Sequence, residues 1–158
     1  MGRNVLAIDP GKIAGWAIFR GGKLQAAGVL KEYMITQEFR QTCLLHEFDE
    51  IVIEIPQVYP QKRQPGNPNH LIKMAFDVGE FAGRLIGMFW TLSLARFEPE
   101  IVLVKPHEWK GSVPKDIHNQ RICGSLSEHE SAIIDAAGVA KTHRHNMIDA
   151  VGLGLWRQ

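Results

Sequence analysis

The apolar residues at the start of the chain fall into short runs that are typical of β-strands. Residues 4–9 (NVLAID) are apolar almost without interruption, which favours a strand buried on both faces. Two more strand-like runs follow at 13–20 and 24–30, the first after an Asp-Pro-Gly turn and the second after Gly-Gly. The pattern therefore predicts three consecutive strands joined by tight turns.

The rest of the chain alternates between helical and strand patterns. Helical spacing is found at 36–48, which Thr36 can cap, and from about Asn69 to the low nineties. Strand-like runs end at Pro56 and cover 100–106, and shorter helices are predicted near 114–123, 127–137 and 145–157. This alternation predicts one α/β domain with a mixed five-stranded sheet flanked by helices.

The composition is that of an ordinary globular domain, with 45% apolar and 22% charged residues. The longest mainly apolar run, at 85–95, is shorter than the ~20 residues that a membrane span needs. The opening residues do not resemble a signal peptide. Cys43 and Cys123 lie far apart in no ligand-like spacing, so we expect free thiols in a cytoplasmic protein that has no membrane partner.

Three lone carboxylates lie inside segments that are predicted to be buried. Asp9 ends the first strand and is the only acid among the first 31 residues, Glu54 lies between two isoleucines, and Asp149 is the only acid in the apolar run 147–156. Burying one carboxylate costs several kcal/mol unless something compensates. A buried salt bridge could explain any one of them, but three in one domain favour convergence on a shared positive charge.

These acids predict a metal site. If the strands of Asp9 and Glu54 are parallel neighbours, both acids lie at the carboxyl edge of the sheet, where open α/β sheets place their sites. Clustered carboxylates repel one another unless a cation neutralises them, and oxygen ligands prefer Mg²⁺ or Mn²⁺. Two such ions can activate water and stabilise a leaving oxygen, which favours hydrolysis of a phosphodiester.

The local charge fits such a substrate, although the net charge is only +1. Residues 56–76 and 138–148 carry basic side chains and no acid, so each could bind a polyanion. Two solvated loops would explain the same charge pattern equally well.

Five segments carry a resemblance to a known family. They are AIDPGKIAGWAIF (7–19), IVIEIPQVYP (51–60), NPNHLIKMAFDVGEFAGRLIG (67–87), KPHEWKGSVPKDIHNQR (105–121) and HNMIDAVGLGLW (145–156). In this order they resemble the active-site strands, the Asn-led helix, the basic stretch and the last helix of the RuvC-type Holliday-junction resolvases, which are ribonuclease H-like nucleases.

The resemblance implies a crossover junction endodeoxyribonuclease that resolves branched DNA by two paired cuts. Asp9, Glu54 and Asp149 would hold Mg²⁺ or Mn²⁺, with two ions expected. Lys110 and Lys115 would face the phosphates near the cleavage point. Two symmetric cuts need two active sites, so a homodimer is expected.

One position departs from the family pattern. The last helix of these enzymes usually carries a second ligand three residues before the aspartate, and that residue here is Asn146. His145, four residues before Asp149, could serve as a ligand or a proton carrier, whereas Asn146 could bind a metal through its carbonyl oxygen or cap the helix. Both residues stay open as the one that completes the site.

Further DNA contacts are expected in the loop after Glu54. Tyr59 could stack on an unpaired base or could cover the edge of the sheet. Lys62 and Arg63 suit contacts with phosphates, which position a protein on DNA without reading its sequence.

The long helix has a stripe of small residues at four-residue spacing, made of Ala75, Gly79, Gly83 and Gly87. Glycine costs up to ~1 kcal/mol relative to alanine inside a helix, so another backbone should approach closely. Packing on the sheet and a symmetric helix–helix contact between two copies are both compatible with the stripe. Trp90 in the same helix is predicted to lie in the core.

Two other functions remain compatible with the sequence. A nuclease of the same fold could act on structured RNA, and a junction-binding protein without activity would explain the asparagine at position 146. ATP binding, as in sugar kinases and actins with a similar Asp-x-Gly opening, is disfavoured because the chain has no second lobe.

Overall fold

The computed structural model describes residues 2–56, 68–92 and 99–158. Its strands form one sheet, and they are Val5–Asp9 (β1), Ile13–Arg20 (β2), Lys23–Lys31 (β3), Glu50–Glu54 (β4) and Glu100–Val104 (β5). The order across the sheet is β3-β2-β1-β4-β5. β1, β2 and β3 pair antiparallel, whereas β4 lies parallel to both β1 and β5. The predicted mixed five-stranded sheet is confirmed.

The helices of the described residues are Gln37–Leu44 (α1), Pro68–Leu92 (α2), Pro106–Trp109 (α3), Lys115–Ser125 (α4), Glu128–Ala136 (α5) and Arg144–Trp156 (α6). The predicted cap of α1 is present, because the Thr36 side chain accepts a hydrogen bond from the Phe39 amide. The prediction that this helix continues to residue 48 is wrong. A further turn would place the polar His46 and Glu47 on the buried face, so it would gain little.

The two faces of the sheet carry separate cores. On one face, Val5 and Ala7 of β1 pack with residues of α4, α5 and α6. On the other face, Leu6 and Ile8 pack with residues of α1 and α2. The nearly continuous apolar run of β1 therefore reflects burial on both faces, as predicted.

This alternation places two of the lone acids on the same face. The register sets Ile8 opposite Ile53, so Asp9 and Glu54 are the next residues of two adjacent parallel strands. Side chains alternate along a strand, so Asp9 continues the row of Val5 and Ala7 towards α6. Glu54 continues the row of Val52, which belongs to the same core.

Helix α6 is fixed against the sheet near both ends. Near its first turn, a Cβ atom on Gly15 of β2 would lie 1.8 Å from the carbonyl oxygen of Asn146, so only glycine permits this approach. Just after its last turn, Arg157 donates two hydrogen bonds to the buried carboxylate of Glu50 at the start of β4. The position of α6 along the sheet is therefore set by close contacts on both sides of Asp149.

The small-residue stripe of α2 does not pack on the sheet, so that expectation is wrong. Its members are exposed, and a Cβ atom on Gly79, Gly83 or Gly87 would meet none of the described residues within 4 Å. Phe81 and Leu85 face the core from the opposite side of the helix. Trp90 lies on the stripe side and is 68% exposed, so it is not a core residue either.

No helix in the described part of the chain combines the length and the apolar composition that crossing a membrane would require.

Candidate active site

The three lone acids converge on two lysines at the carboxyl edge of β1 and β4. Lys110 Nζ lies 3.0 Å from Glu54 Oε2 and 3.8 Å from Asp149 Oδ2. Lys115 Nζ lies 3.1 Å from the same oxygen of Asp149. Asp9 belongs to the cluster as well, since its carboxyl group interacts electrostatically with Glu54, with Asp149 and with both lysines. The structure therefore brings together the acids that the sequence analysis selected, with basic residues among them.

Burial makes these contacts energetically important. The Asp149 side chain is only 2% exposed and that of Glu54 is 12% exposed. An ion pair that is removed from water stabilises the fold only when its charges are well matched, and an unmatched buried charge is strongly destabilising. The match at Asp149 is incomplete, because its buried Oδ1 has no hydrogen-bond partner among the described residues.

The cluster holds three acids and two lysines, and the pKa of Asp9 reflects this excess of acidic groups. Burial, followed by repulsion from Glu54, raises the pKa of Asp9 to about 8. Burial alone would lower the pKa of Lys110, but the attraction of Asp9, Asp149 and Glu54 raises it above its ordinary value. The cluster thus favours an additional proton or another cation.

Trp109 is a functional candidate that sequence reasoning did not identify as a site residue. Its indole Nε1 donates a hydrogen bond of 2.7 Å to Glu54 Oε2. Trp109 closes the short helix α3, which was not predicted, although Pro106 at the start of a helix is a recognised signal. Nothing in the local sequence shows that this indole would reach the end of a strand 55 residues earlier.

A cavity of about 180 Å³ lies beside the cluster, and its lining includes Lys110, Lys115, Asp149 and His118. The His118 ring packs edge-on against Trp109 with centroids 5.0 Å apart, and its buried Nε2 has no hydrogen-bond partner in the described part of the chain. Burial lowers the pKa of His118. His118 was also missed by sequence reasoning, since no pattern distinguished it from the other histidines.

The remaining predicted residues are placed less decisively. His145 is exposed in the first turn of α6, and Asn146 is half-buried with its backbone carbonyl against Gly15. Neither contributes to the ion pairs of the cluster among the described residues, so the choice between them stays open. Tyr59, Lys62 and Arg63 lie outside the described residues.

The donor atoms of the cluster fit a hard divalent cation. Asp9, Glu54 and Asp149 offer only carboxylate oxygens, which Mg²⁺ and Mn²⁺ prefer. Oδ1 of Asp149, which accepts no hydrogen bond from residues 2–56, 68–92 or 99–158, is suited to such an ion. In the described part of the chain, no group of three or more His, Cys, Asp and Glu side chains is arranged to hold a metal as it stands. Instead, the ammonium of Lys110 lies between Glu54 and Asp149 and supplies the positive charge there.

The raised pKa of Asp9 predicts how stability depends on pH in the absence of divalent ions. Because the pKa in the folded protein, about 8, lies above the ordinary value of 3.8, the stabilising contribution is complete below pH ~4 and is lost as the pH rises through 8. Asn cannot lose a proton, so Asp9→Asn should gain stability relative to the wild type as the pH rises. Thermal melts in a chelator between pH 5 and 9 measure this effect. The Tm of Asp9→Asn minus the Tm of the wild type should increase with pH.

A suitable control is Asp135→Asn, which changes an exposed acid of α5 that pairs with Arg144. For this variant, the Tm relative to the wild type should show no such increase with pH. If the Tm of Asp9→Asn minus that of the wild type stays constant or decreases towards pH 9, the assigned environment of Asp9 is contradicted.

Comparison with known proteins gives no match to any protein-family model and none to any curated sequence. Comparison with solved structures gives several. Thermus thermophilus RuvC in complex with a Holliday junction substrate has a TM-score of 0.59 at 16% identity, covering 96% of this chain and 90% of that one. Another T. thermophilus RuvC structure has a TM-score of 0.54 at 16% identity, covering 96% and 91%.

The crystal structure of the yeast mitochondrial Holliday junction resolvase has a TM-score of 0.53 at 13% identity, covering 98% of this chain and 78% of that chain. The similarity to these structures therefore covers nearly the whole chain, including the mixed sheet and the helices on its two faces. The protein has the ribonuclease H-like fold of the RuvC resolvases.

Proposed function

We propose that this protein is a Mg²⁺- or Mn²⁺-dependent endonuclease that resolves Holliday junctions or related branched DNA by paired cuts. The observation that carries the proposal is the convergence of Asp9, Glu54 and Asp149 on the ammonium groups of Lys110 and Lys115. Proteins with a similar fold include a RuvC bound to a Holliday junction substrate, which supports the choice of DNA.

Asp9, Glu54 and Asp149 would hold the ions, with His145 or Asn146 as the completing residue. Bound Mg²⁺ or Mn²⁺ would supply Lewis acidity that polarises the scissile phosphate and stabilises the leaving oxygen. The flexible stems of Lys110 and Lys115 would let their ammonium groups move from the carboxylates to the DNA phosphates. The lysines would therefore neutralise the acids before DNA binds and contact the substrate afterwards.

The loop after β4 would extend the DNA contact. Tyr59 would stack on an unpaired base, and Lys62 and Arg63 would contact phosphates. Tyr59, Lys62 and Arg63 follow Glu54 closely in the sequence, which supports this proposal.

The functional unit would be a homodimer that joins through the exposed stripe of α2. Besides the glycines, this stripe includes Ile72, Phe76 and Trp90, which are 55%, 74% and 68% exposed. At about 100° per residue, these positions lie on one side of the helix. Large apolar side chains exposed in a row on one helix are typical of a protein–protein interface.

The residue order in the stripe is suited to an antiparallel contact between two copies. Phe76 and Trp90 lie seven residues on either side of Gly83, and Gly79 and Gly87 lie four residues on either side. If the two helices cross at Gly83, Phe76 of each copy meets the partner's Trp90, and the glycines let the backbones approach. The stripe is thus self-complementary, as an interface between identical subunits requires.

The catalytic part of the proposal is tested by incubating a labelled four-way DNA junction with the protein in Mg²⁺ and in Mn²⁺. Paired nicks are expected with the wild type. In Asp9→Asn the rate should fall about 100-fold or more, because the lost metal contact is worth several kcal/mol and about 1.4 kcal/mol corresponds to a factor of ten. Junction binding, measured by gel shift, should persist in Asp9→Asn.

The exposed-acid variant Asp135→Asn should cleave like the wild type. Binding without cleavage in either metal would identify a junction-binding protein with no activity. If neither binding nor cleavage is observed, the DNA proposal falls, and structured RNA is the next substrate to test.

The dimer is tested by Gly83→Leu. A leucine at the crossing point would separate the two backbones, so sedimentation velocity should show a shift towards monomer. Gly124→Leu is the matched control, because Gly124 is also an exposed helical glycine, and a Cβ atom there would meet no described residue within 4 Å. Gly124 lies in α4, away from the stripe. Unchanged sedimentation of a folded Gly83→Leu protein would rule out this interface.

A further inference from the structure

We infer that Trp109 is a positioning residue that orients the Glu54 carboxylate for binding a divalent cation. This role rests on the metal site of the proposed function, but it concerns a residue outside that ligand set. The contact that carries it is the hydrogen bond of 2.7 Å from Trp109 Nε1 to Glu54 Oε2.

The two oxygens of Glu54 are held differently. Oε2 accepts a hydrogen bond of 2.7 Å from Trp109 Nε1 and lies 3.0 Å from the ammonium of Lys110. Oε1 accepts a hydrogen bond of 3.3 Å from Lys110 Nζ and, among the described residues, no bond from the indole. When Lys110 leaves to contact phosphate, the indole still holds Oε2 and leaves Oε1 exposed to a cation. A carboxylate that is already oriented loses less conformational freedom on binding a metal than one that rotates freely.

A tryptophan suits this task because its N–H is a neutral donor. The indole orients the carboxylate without cancelling its charge, so Glu54 keeps its attraction for a cation. A second lysine in the same place would neutralise the carboxylate and would repel an incoming metal ion. The chain thus uses a neutral donor where orientation is needed and Lys110 where charge is needed.

The ring of Trp109 is itself fixed by its surroundings. It is half-buried and packs against the core between the sheet and α6. A Cβ atom on Gly152 of α6 would come within 3.0 Å of Trp109 Cζ3, so glycine there leaves room for the ring. Gly152 lies one turn after Asp149, and Trp109 therefore touches Glu54 directly and also the helix that carries Asp149.

The first part of the test asks whether the contact exists in the metal-free protein. The indole N–H resonances of all four tryptophans can be followed by ¹H–¹⁵N NMR. In Glu54→Ala, only the Trp109 resonance should move upfield and exchange faster with solvent. If it does not respond to the loss of Glu54, the inference is overturned.

The second part measures Mn²⁺ binding directly, from the electron paramagnetic resonance signal of the free ion. Trp109→Phe keeps a ring against Gly152 but removes the donor, and binding should weaken about 10- to 100-fold, as is usual for partners of metal ligands. Trp156→Phe is the control, since that ring is 44% exposed at the end of α6 and should leave Mn²⁺ affinity unchanged.

A double-mutant cycle separates positioning from a general structural effect. If Trp109 acts through Glu54, Trp109→Phe should cause no further loss of Mn²⁺ affinity in the Glu54→Ala background. Additive losses, or an unchanged affinity of Trp109→Phe alone, overturn the positioning role while leaving the proposed metal site standing. A wild-type protein that binds no Mn²⁺ overturns the metal site and, with it, the role of Trp109.

Discussion

The balance between three clustered acids and two ammonium groups is the constraint on which the rest of this structure depends. Asp9, Glu54 and Asp149 come from two strands and a helix that are far apart in the chain, and their mutual repulsion would separate them without compensation. Lys110 and Lys115 supply that compensation from one short segment after β5. Because the compensation is incomplete, the cluster favours an additional proton or another cation.

The framework around the cluster determines its geometry. Parallel pairing brings the ends of β1 and β4 together. Because side chains alternate between the two faces of a strand, both acids point towards α6. Gly15 lets that helix approach closely, and the pairing of Arg157 with the buried Glu50 fixes its other end. Packing, backbone approach and ion pairing thus set the separation of the carboxylates before any metal or DNA binds.

Local patterns were enough to predict the sheet and the acids, because a lone charge in an apolar run is visible in the sequence itself. Contacts between distant segments were not predictable in the same way. The hydrogen bond from Trp109 to Glu54 depends on where β5 delivers a one-turn helix, and no spacing rule encodes it. Likewise, the stripe at Gly83 predicted the approach of another backbone to α2, and only the fold shows that the sheet does not provide it.

The most direct test of the central claim is a crystal structure of the protein soaked in Mn²⁺, with the ions located by anomalous scattering. We expect Mn²⁺ within coordination distance of Asp9, Glu54 and Asp149, with the ammonium of Lys110 moved away from Glu54. Lys110 still bridging Glu54 and Asp149, with no anomalous peak beside the carboxylates, would contradict it. The cluster would then be a structural ion-pair network rather than a metal site.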